Sequence, residues 1–326
     1  MPHDTLKYYI YCFRNLRRDY KKGGAPHKPA LLLSVIENFE QKLIDSNKIY
    51  ISPELVGSFK LNWSELVVSD HHMIFALPFY HMKSEPFWKL VANPGCEKWI
   101  EAKSSMRSFA NLKTAVNYAE IDKDLYELML SKDNREILRQ TLLEEYFSQT
   151  KSNYKAVGKD VFDDYTEQIV KEDPETYKRR ILKLKQELDQ SKFEEEVFVR
   201  NGAFKREISK IYNYKCAISE LRVDATLNVS MIDACHILPF SESYNDTLTN
   251  GLALCPNLHR AFDRGLISID TNYRVLMSPN FNENISSKYS IRQFEGKQIL
   301  LPEKEKYYPS QDNLRQHRLR FGFSNK

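Results

Sequence analysis

The chain predicts an α+β protein in two parts: a mixed α/β N-terminal domain, a charged helical linker, and a compact C-terminal ββα module. Three observations predict this. Over residues 1–150, apolar positions at helical spacing alternate with short strand-like runs. Over 151–197 the sequence turns rich in Asp, Glu, Lys and Arg. From Phe198 onward, short strands and turns surround a dense group of His, Asn and Asp. The expected domains are therefore 1–150, a linker over 151–197, and 198–326.

In the first domain, an amphipathic helix is expected over about 5–20, ending before the turn Gly23-Gly24-Ala25-Pro26. The run PALLLSVIENF from Pro29 begins an apolar helix, with proline in the first turn, where its missing N–H costs nothing. Ile49-Tyr50-Ile51 and the stretch Met73–Tyr80 read as strands, and two helical stretches close the domain between about 110 and 148. In the polar segment that follows, Ile181, Leu184 and Leu188 form a sparse apolar stripe. Such a stripe suits a linker helix packing one face on a domain, or a short dimerisation helix. A basic helix, NGAFKREISKIYNY, opens the C-terminal domain.

Composition narrows the class. The 326 residues are 42% hydrophobic and 28% charged, with 48 Lys and Arg against 44 Asp and Glu. That describes a soluble protein with cores to bury and only a mild net charge of +4. No run of 18 apolar residues exists, and the N-terminus lacks the pattern of a secretory signal, so a cytoplasmic protein with no membrane partner is expected. Basic charge gathers at two places: Lys7, Arg14, Arg17, Arg18, Lys21, Lys22 and Lys28 near the start, and Arg315, Arg318, Arg320 and Lys326 near the end. Such clusters suit phosphate contact, and equally a solvated face. The five cysteines include no C-x-x-C pair, which argues against both a zinc knuckle and a disulfide framework.

The C-terminal group carries the chemistry. Met231–Phe240 and Asn250–Cys255 flank the polar loop SESYNDTLT and read as two antiparallel strands. Pro256 then opens a helix that Gly265 closes as a left-handed cap. On that helix His259 and Asp263, four apart, share a face and can offer an imidazole nitrogen and a carboxylate oxygen to one divalent cation. His236, at the end of the first strand, can face that site and take a proton from water near neutral pH. Asn250 can bond backbone or imidazole and hold the base in the right tautomer. Taken singly, each residue also has an ordinary structural reading. The ordered set is what stands out.

That set resembles the HNH endonuclease family, in the subgroup with D/E-A-x-H-I-x-P, N-G-L-x-L and L-H-x-x-F-D-x-G. Here these read Asp233-Ala234-Cys235-His236-Ile237-Leu238-Pro239, Asn250-Gly251-Leu252-Ala253-Leu254 and Leu258–Gly265. The resemblance covers about 198–280. It implies that His236 is the general base, that Asn250 orients it, and that His259 and Asp263 bind the metal. The commonest arrangement places an Asp or His metal ligand directly before the base, where this chain has Cys235. Asp233, on the same strand face as Cys235, is the expected third ligand, and Cys235 is expected to pack rather than ligate. The mixed donor set suits Mg²⁺ or Mn²⁺ first, with Zn²⁺, Ni²⁺ or Co²⁺ possible.

The N-terminal region carries a second resemblance over about 5–95. Gly24–Leu33 (GAPHKPALLL), Leu77-Pro78-Phe79 and Pro86–Leu90 (PFWKL) are similar to the sulfur-binding domain of McrA-like modification-dependent type IV restriction endonucleases. The resemblance implies a reader of phosphorothioate DNA, with Pro78 and Phe79 as an apolar wall and His27, Lys28, Arg17 and Arg18 meeting the backbone. Leu77 and Lys28 stand where that pattern often has Tyr and Arg. The expected partner is double-stranded DNA, probed by a homodimer or by two independent nicks. An HNH nuclease reading another modification or plain sequence, and an inactive DNA-binding protein, are the competing readings.

Overall fold

The structure is a computed structural model that describes residues 2–20, 23–101, 106–155, 160–223, 230–283 and 289–323. Lys21, Lys22 and Lys326 of the two basic clusters lie outside the described residues. The chain forms two compact units, one of residues 1–163 and 187–199, the other of 164–186 and 200–326. Both mix helices with small antiparallel sheets. Among the described residues, no helix is long and apolar enough to cross a membrane.

The first unit begins with α1 (Pro2–Arg14), α2 (His27–Glu40), β1 (Lys48–Ile49), α3 (Pro53–Leu66) and α4 (Ala76–His81). It continues with β2 (Trp88–Ala92), α5 (Glu97–Glu101), α6 (Phe109–Ala115), β3 (Val116–Ile121), α7 (Lys123–Leu130) and α8 (Lys132–Tyr146). Helix α2 is buried on nearly every side, which the apolar run from Pro29 requires. Local chemistry sets the start of α3, where the Ser52 hydroxyl accepts from Leu55 N and Pro53 takes the first helical position. The sheet runs β1-β3-β2, with Lys48 opposite Glu120 and Leu90 opposite Ala119.

Two expectations fail in this unit. Residues 76–81 are a helix rather than part of a strand. A short apolar run carries no decisive period, and here Phe75 and Phe79 lie one turn apart, their rings 5.6 Å apart in an aromatic core with Phe59 and Phe109. Residues 116–121, inside a stretch expected to be helical, form the central strand β3, whose edges are satisfied by partners remote in sequence. Helix α1 also ends at Arg14, short of the expected 20.

The second unit takes most of α9 (Asp163–Lys171), all but the last residue of α10 (Pro174–Glu187), and the part of α11 (Gln190–Ile211) from Arg200 on. Then come β4 (Asp233–His236), α12 (Phe240–Ser243), β5 (Gly251–Leu254), α13 (Pro256–Asp263), β6 (Ile267–Ile269), β7 (Val275–Met277) and α14 (Gln311–Arg320). In α10 the buried anchors are Tyr177 and Ile181, one turn apart, so the stripe around Ile181 is a packing face. The expected strand–loop–strand–helix order is present. Strands β4 and β5 pair antiparallel with His236 opposite Gly251, and Pro256 occupies the first position of α13. Gly265 follows at φ +64°, where a Cβ would strike the Phe321 ring. Glycine is required there for conformation and for space.

Candidate active site

Asp233 and Cys235 alternate onto one face of β4, toward α13, and His236, at the end of the strand, lines the cleft beside them. On α13, His259 and Asp263 sit one turn apart and meet that face. The His259 Nδ1 lies 3.4 Å from an Asp233 oxygen, and its Nε2 lies 3.3 Å from an Asp263 oxygen. The Cys235 thiol, fully buried, donates to Asp263 Oδ1 at 3.6 Å. Single donor atoms of Cys235, His259 and Asp263 lie within 4.8 Å of one another.

This donor set fits a divalent cation. A neutral imidazole has one N–H and one lone pair, yet both His259 nitrogens face carboxylate oxygens. Nitrogen and carboxylate oxygens gathered this closely are donors that a divalent cation accepts. The two carboxylates are about half exposed, so they can be reached from solvent. Cys235 is held differently. Burial, together with the nearby carboxylates of Asp263 and Asp233, pushes its thiol pKa well above the usual value. Its sulfur nevertheless stands among the donors, nearer to them than a purely packing residue need be.

His236 lines a cleft of about 440 Å³ that also receives His259, Asp263, Lys205 and Arg320. Its ring stacks on Phe204, centroids 4.0 Å apart and planes 8° off parallel. Its Nε2 lies 2.7 Å from Asp246 Oδ1. With the imidazole neutral, Nε2–H donates to this carboxylate, which leaves the lone pair on Nδ1. His317, on the same cleft, is unlike it. Both of its nitrogens are engaged, with Ser268 Oγ and the Phe262 carbonyl, and burial pushes its pKa down to about 4. That imidazole braces α13 and has no nitrogen to spare for chemistry.

Asn250 is fully buried, and its amide is spent on the backbone. It donates to the Leu238 and Asn245 carbonyls and accepts from Leu238 N and from the Asn313 amide. Of the two uses open to it in the sequence, it takes the backbone one, and it holds the chain on both sides of the loop between His236 and itself. The side chain on the imidazole is Asp246, which sequence reading passed over. The only signal was an acid inside the polar loop SESYNDTLT, where no periodicity marks it.

In the first unit, Arg17, Arg18, His27, Lys28 and Pro78 surround one cavity of about 540 Å³. Phe79 does not join them. Successive residues on a helix point about 100° apart, and Phe79 turns inward, fully buried and edge-on to Trp88. The apolar wall consists of Leu77, Pro78 and Ile74. His27 packs 4.6 Å from Trp63, and its Nε2 meets the His72 carbonyl at 2.8 Å. Burial lowers its pKa to about 4, so the ring is neutral at working pH. Lys28 is almost wholly buried and pairs with Glu85 at 2.5 Å and Ser84 at 2.7 Å, so its charge is largely neutralised from within. Arg18 lies over the Tyr146 ring at 4.3 Å. The exposed Arg107, which the sequence did not single out, adds a further cation to the rim.

Residues 216–270 match the HNH endonuclease family model. The matched segment spans β4, β5 and α13 of the second unit. Two solved structures are similar. One is a modification-dependent TagI restriction endonuclease, at 19% identity and TM-score 0.26, covering 36% of each chain. This chain therefore spans about a third of that relative's length. The other is the type IV phosphorothioation-dependent restriction endonuclease ScoMcrA, at 11% identity and TM-score 0.31, covering 78% of this chain and 94% of that one. None of the curated proteins matches the chain.

Proposed function

We infer that this protein is a modification-dependent restriction endonuclease that recognises phosphorothioate DNA with its first unit and hydrolyses phosphodiester bonds with its second. One observation carries the cleavage half: the HNH match falls on the cleft that gathers His236, His259 and Asp263. Asp233, His259 and Asp263 would hold a divalent cation, Mg²⁺ or Mn²⁺. Such an ion supplies charge neutralisation at the phosphate and the departing oxygen. His236 Nδ1 takes the proton of the attacking water as its oxygen bonds to phosphorus and the bond to the 3′-oxygen breaks. Lys205 and Arg320, on the same cleft, meet flanking phosphates.

The recognition half rests on the character of the first cavity. Sulfur on phosphorus is larger, softer and less hydrated than oxygen, and it accepts hydrogen bonds poorly. A wall of Leu77, Pro78 and Ile74 with a neutral His27 suits it, while Arg17, Arg18 and Arg107 suit the phosphates around it. One site per chain makes a double-strand break through a homodimer or by two nicks, and the working compartment is the cytoplasm.

A second reading is favoured by the cavity's size. About 540 Å³ exceeds what one sulfur atom fills and can admit a base turned out of the duplex. Matched duplexes, one with a single phosphorothioate and one without, separate the readings in Mg²⁺ or Mn²⁺. Selective binding and cutting of the sulfur duplex is expected. Equal cutting of both removes the phosphorothioate reading, and no cutting of any DNA removes the nuclease reading with it.

A further inference from the structure

The His236 imidazole is fixed in two ways. Stacking on Phe204 sets the plane of the ring, and the contact with Asp246 sets its rotation within that plane. Asp246 is itself about 1% exposed, and it faces a second buried group. Its Oδ2 accepts from the Tyr177 hydroxyl at 3.0 Å, and Tyr177, on α10, is fully buried. Arg200 then approaches the same phenol, with Nη1 3.4 Å from the oxygen and 2.9 Å from Gln168 Oε1.

The direction of these bonds is determined. Arginine can only donate, so the Tyr177 oxygen accepts from Arg200 and its own proton points to Asp246. A carboxylate can accept from both sides, so Asp246 takes that proton on Oδ2 and the His236 Nε2–H on Oδ1. We propose that Arg200, Tyr177 and Asp246 form a buried positioning relay that keeps the catalytic imidazole in its Nε2–H tautomer with Nδ1 free as the base. All three are buried, so they are positioning residues that act through His236. The proposal rests on His236 being the base, as inferred above, and it places a requirement for cleavage on a helix that precedes the HNH segment.

An asymmetric consequence follows. In Asp246→Asn the amide has one oxygen and one NH₂. The Tyr177 proton claims the oxygen, so the NH₂ faces Nε2 and forces the Nδ1–H tautomer, which has no base at Nδ1. In hydrolases whose base histidine is held by a carboxylate, the same replacement costs about 10⁴-fold in kcat. Removing the Tyr177 hydroxyl as well frees the amide to rotate and present its oxygen to Nε2–H. A second mutation should therefore restore what the first one lost.

The test uses the full chain with Mn²⁺ and a cleavable duplex, together with ¹⁵N-detected imidazole spectra of His236. Asp246→Asn should lose about 10²–10⁴-fold in kcat with KM little changed, and should show Nδ1–H. Tyr177→Phe, which removes one hydroxyl, should lose less than about tenfold and keep Nε2–H. The double variant should recover at least about tenfold over Asp246→Asn and return to Nε2–H. Retention of Nε2–H in Asp246→Asn, or a double variant no better than the single one, overturns the relay. If the wild-type chain cuts no DNA, the nuclease reading fails separately, and the tautomer spectra still decide the positioning role.

Discussion

The two cavities are close in size, about 540 Å³ in the first unit and 440 Å³ in the second, and each presents a partly buried histidine. Their partners make them different tools. Burial, with Arg107 nearby, lowers the pKa of His27 and outweighs the His72 carbonyl that its Nε2 meets. It remains neutral, with Nε2 on that carbonyl. His236 meets a carboxylate, which stabilises the imidazolium formed when it takes a proton. The residue type is the same in both places, and the proposed division between reading and reacting turns on the group behind it.

The comparison breaks most clearly by exchanging the losses. His236→Ala should reduce cleavage by about 10²–10⁴-fold while binding to sulfur-bearing duplex stays within twofold, read by paired cleavage and anisotropy assays. His27→Ala should do the reverse, lowering affinity and leaving the single-turnover rate of bound DNA nearly unchanged. Loss of cleavage in His27→Ala at saturating DNA would show that the two sites are not separate tools.

The metal half of the second cavity sharpens the contrast. Chelation should stop cleavage without weakening binding to the first site. His259→Ala and Asp263→Ala should each raise the Mn²⁺ concentration for half-maximal cutting by at least about tenfold, since each removes a proposed ligand and even an outer partner is worth about 10–100-fold. Asp263→Ala also removes one of the two hydrogen-bond acceptors of Cys235, leaving the His236 carbonyl. A smaller effect belongs to the first cavity's wall: Leu77→Ala should cut the preference for sulfur over oxygen by about tenfold, because apolar pocket contacts discriminate at 10–200-fold per group. An unchanged ratio would move the reading surface away from Leu77.

What was legible in the sequence follows from range. His236, His259 and Asp263 lie within one ββα unit, where strand alternation and helical spacing place each side chain relative to the next. The same alternation places Asp233 beside His259. Asp246 was not legible, because it sits in an aperiodic loop and its other partner, Tyr177, is 69 residues away. The strand β3 and the helix over 76–81 were missed for a related reason. Short apolar segments adopt the form that distant neighbours satisfy, and the local pattern alone does not name those neighbours. Pro78 and Phe79 show the limit within a single motif: adjacent residues point apart in a strand or a helix, so a two-residue match does not put both on one wall.

The smallest prediction concerns pH, and it again sets the two units apart. Glu195, in the first unit, is about 1% exposed; one carboxyl oxygen accepts from Phe75 N and the other has no partner. Burial raises its pKa to about 7 from 4.5. Between those values the folded unit keeps a proton that the unfolded chain releases, so this contribution is full below pH 4.5 and is lost as pH rises through 7. His317, in the second unit, has its pKa lowered from 6.5 to about 4. The unfolded chain there takes a proton that the fold refuses, so stability is full above pH 6.5 and is lost as pH falls towards 4. Glu37, also raised to about 7, adds to the first slope, and His27 opposes it. Against wild type, Glu195→Gln should therefore gain Tm progressively from pH 5 to 8, since it removes a charge the fold must otherwise bury. His317→Asn costs the stack on Phe262 at every pH, but its deficit should shrink from pH 7 to 5. Parallel shifts of both variants with pH would mean that these two groups do not set the slopes of their units.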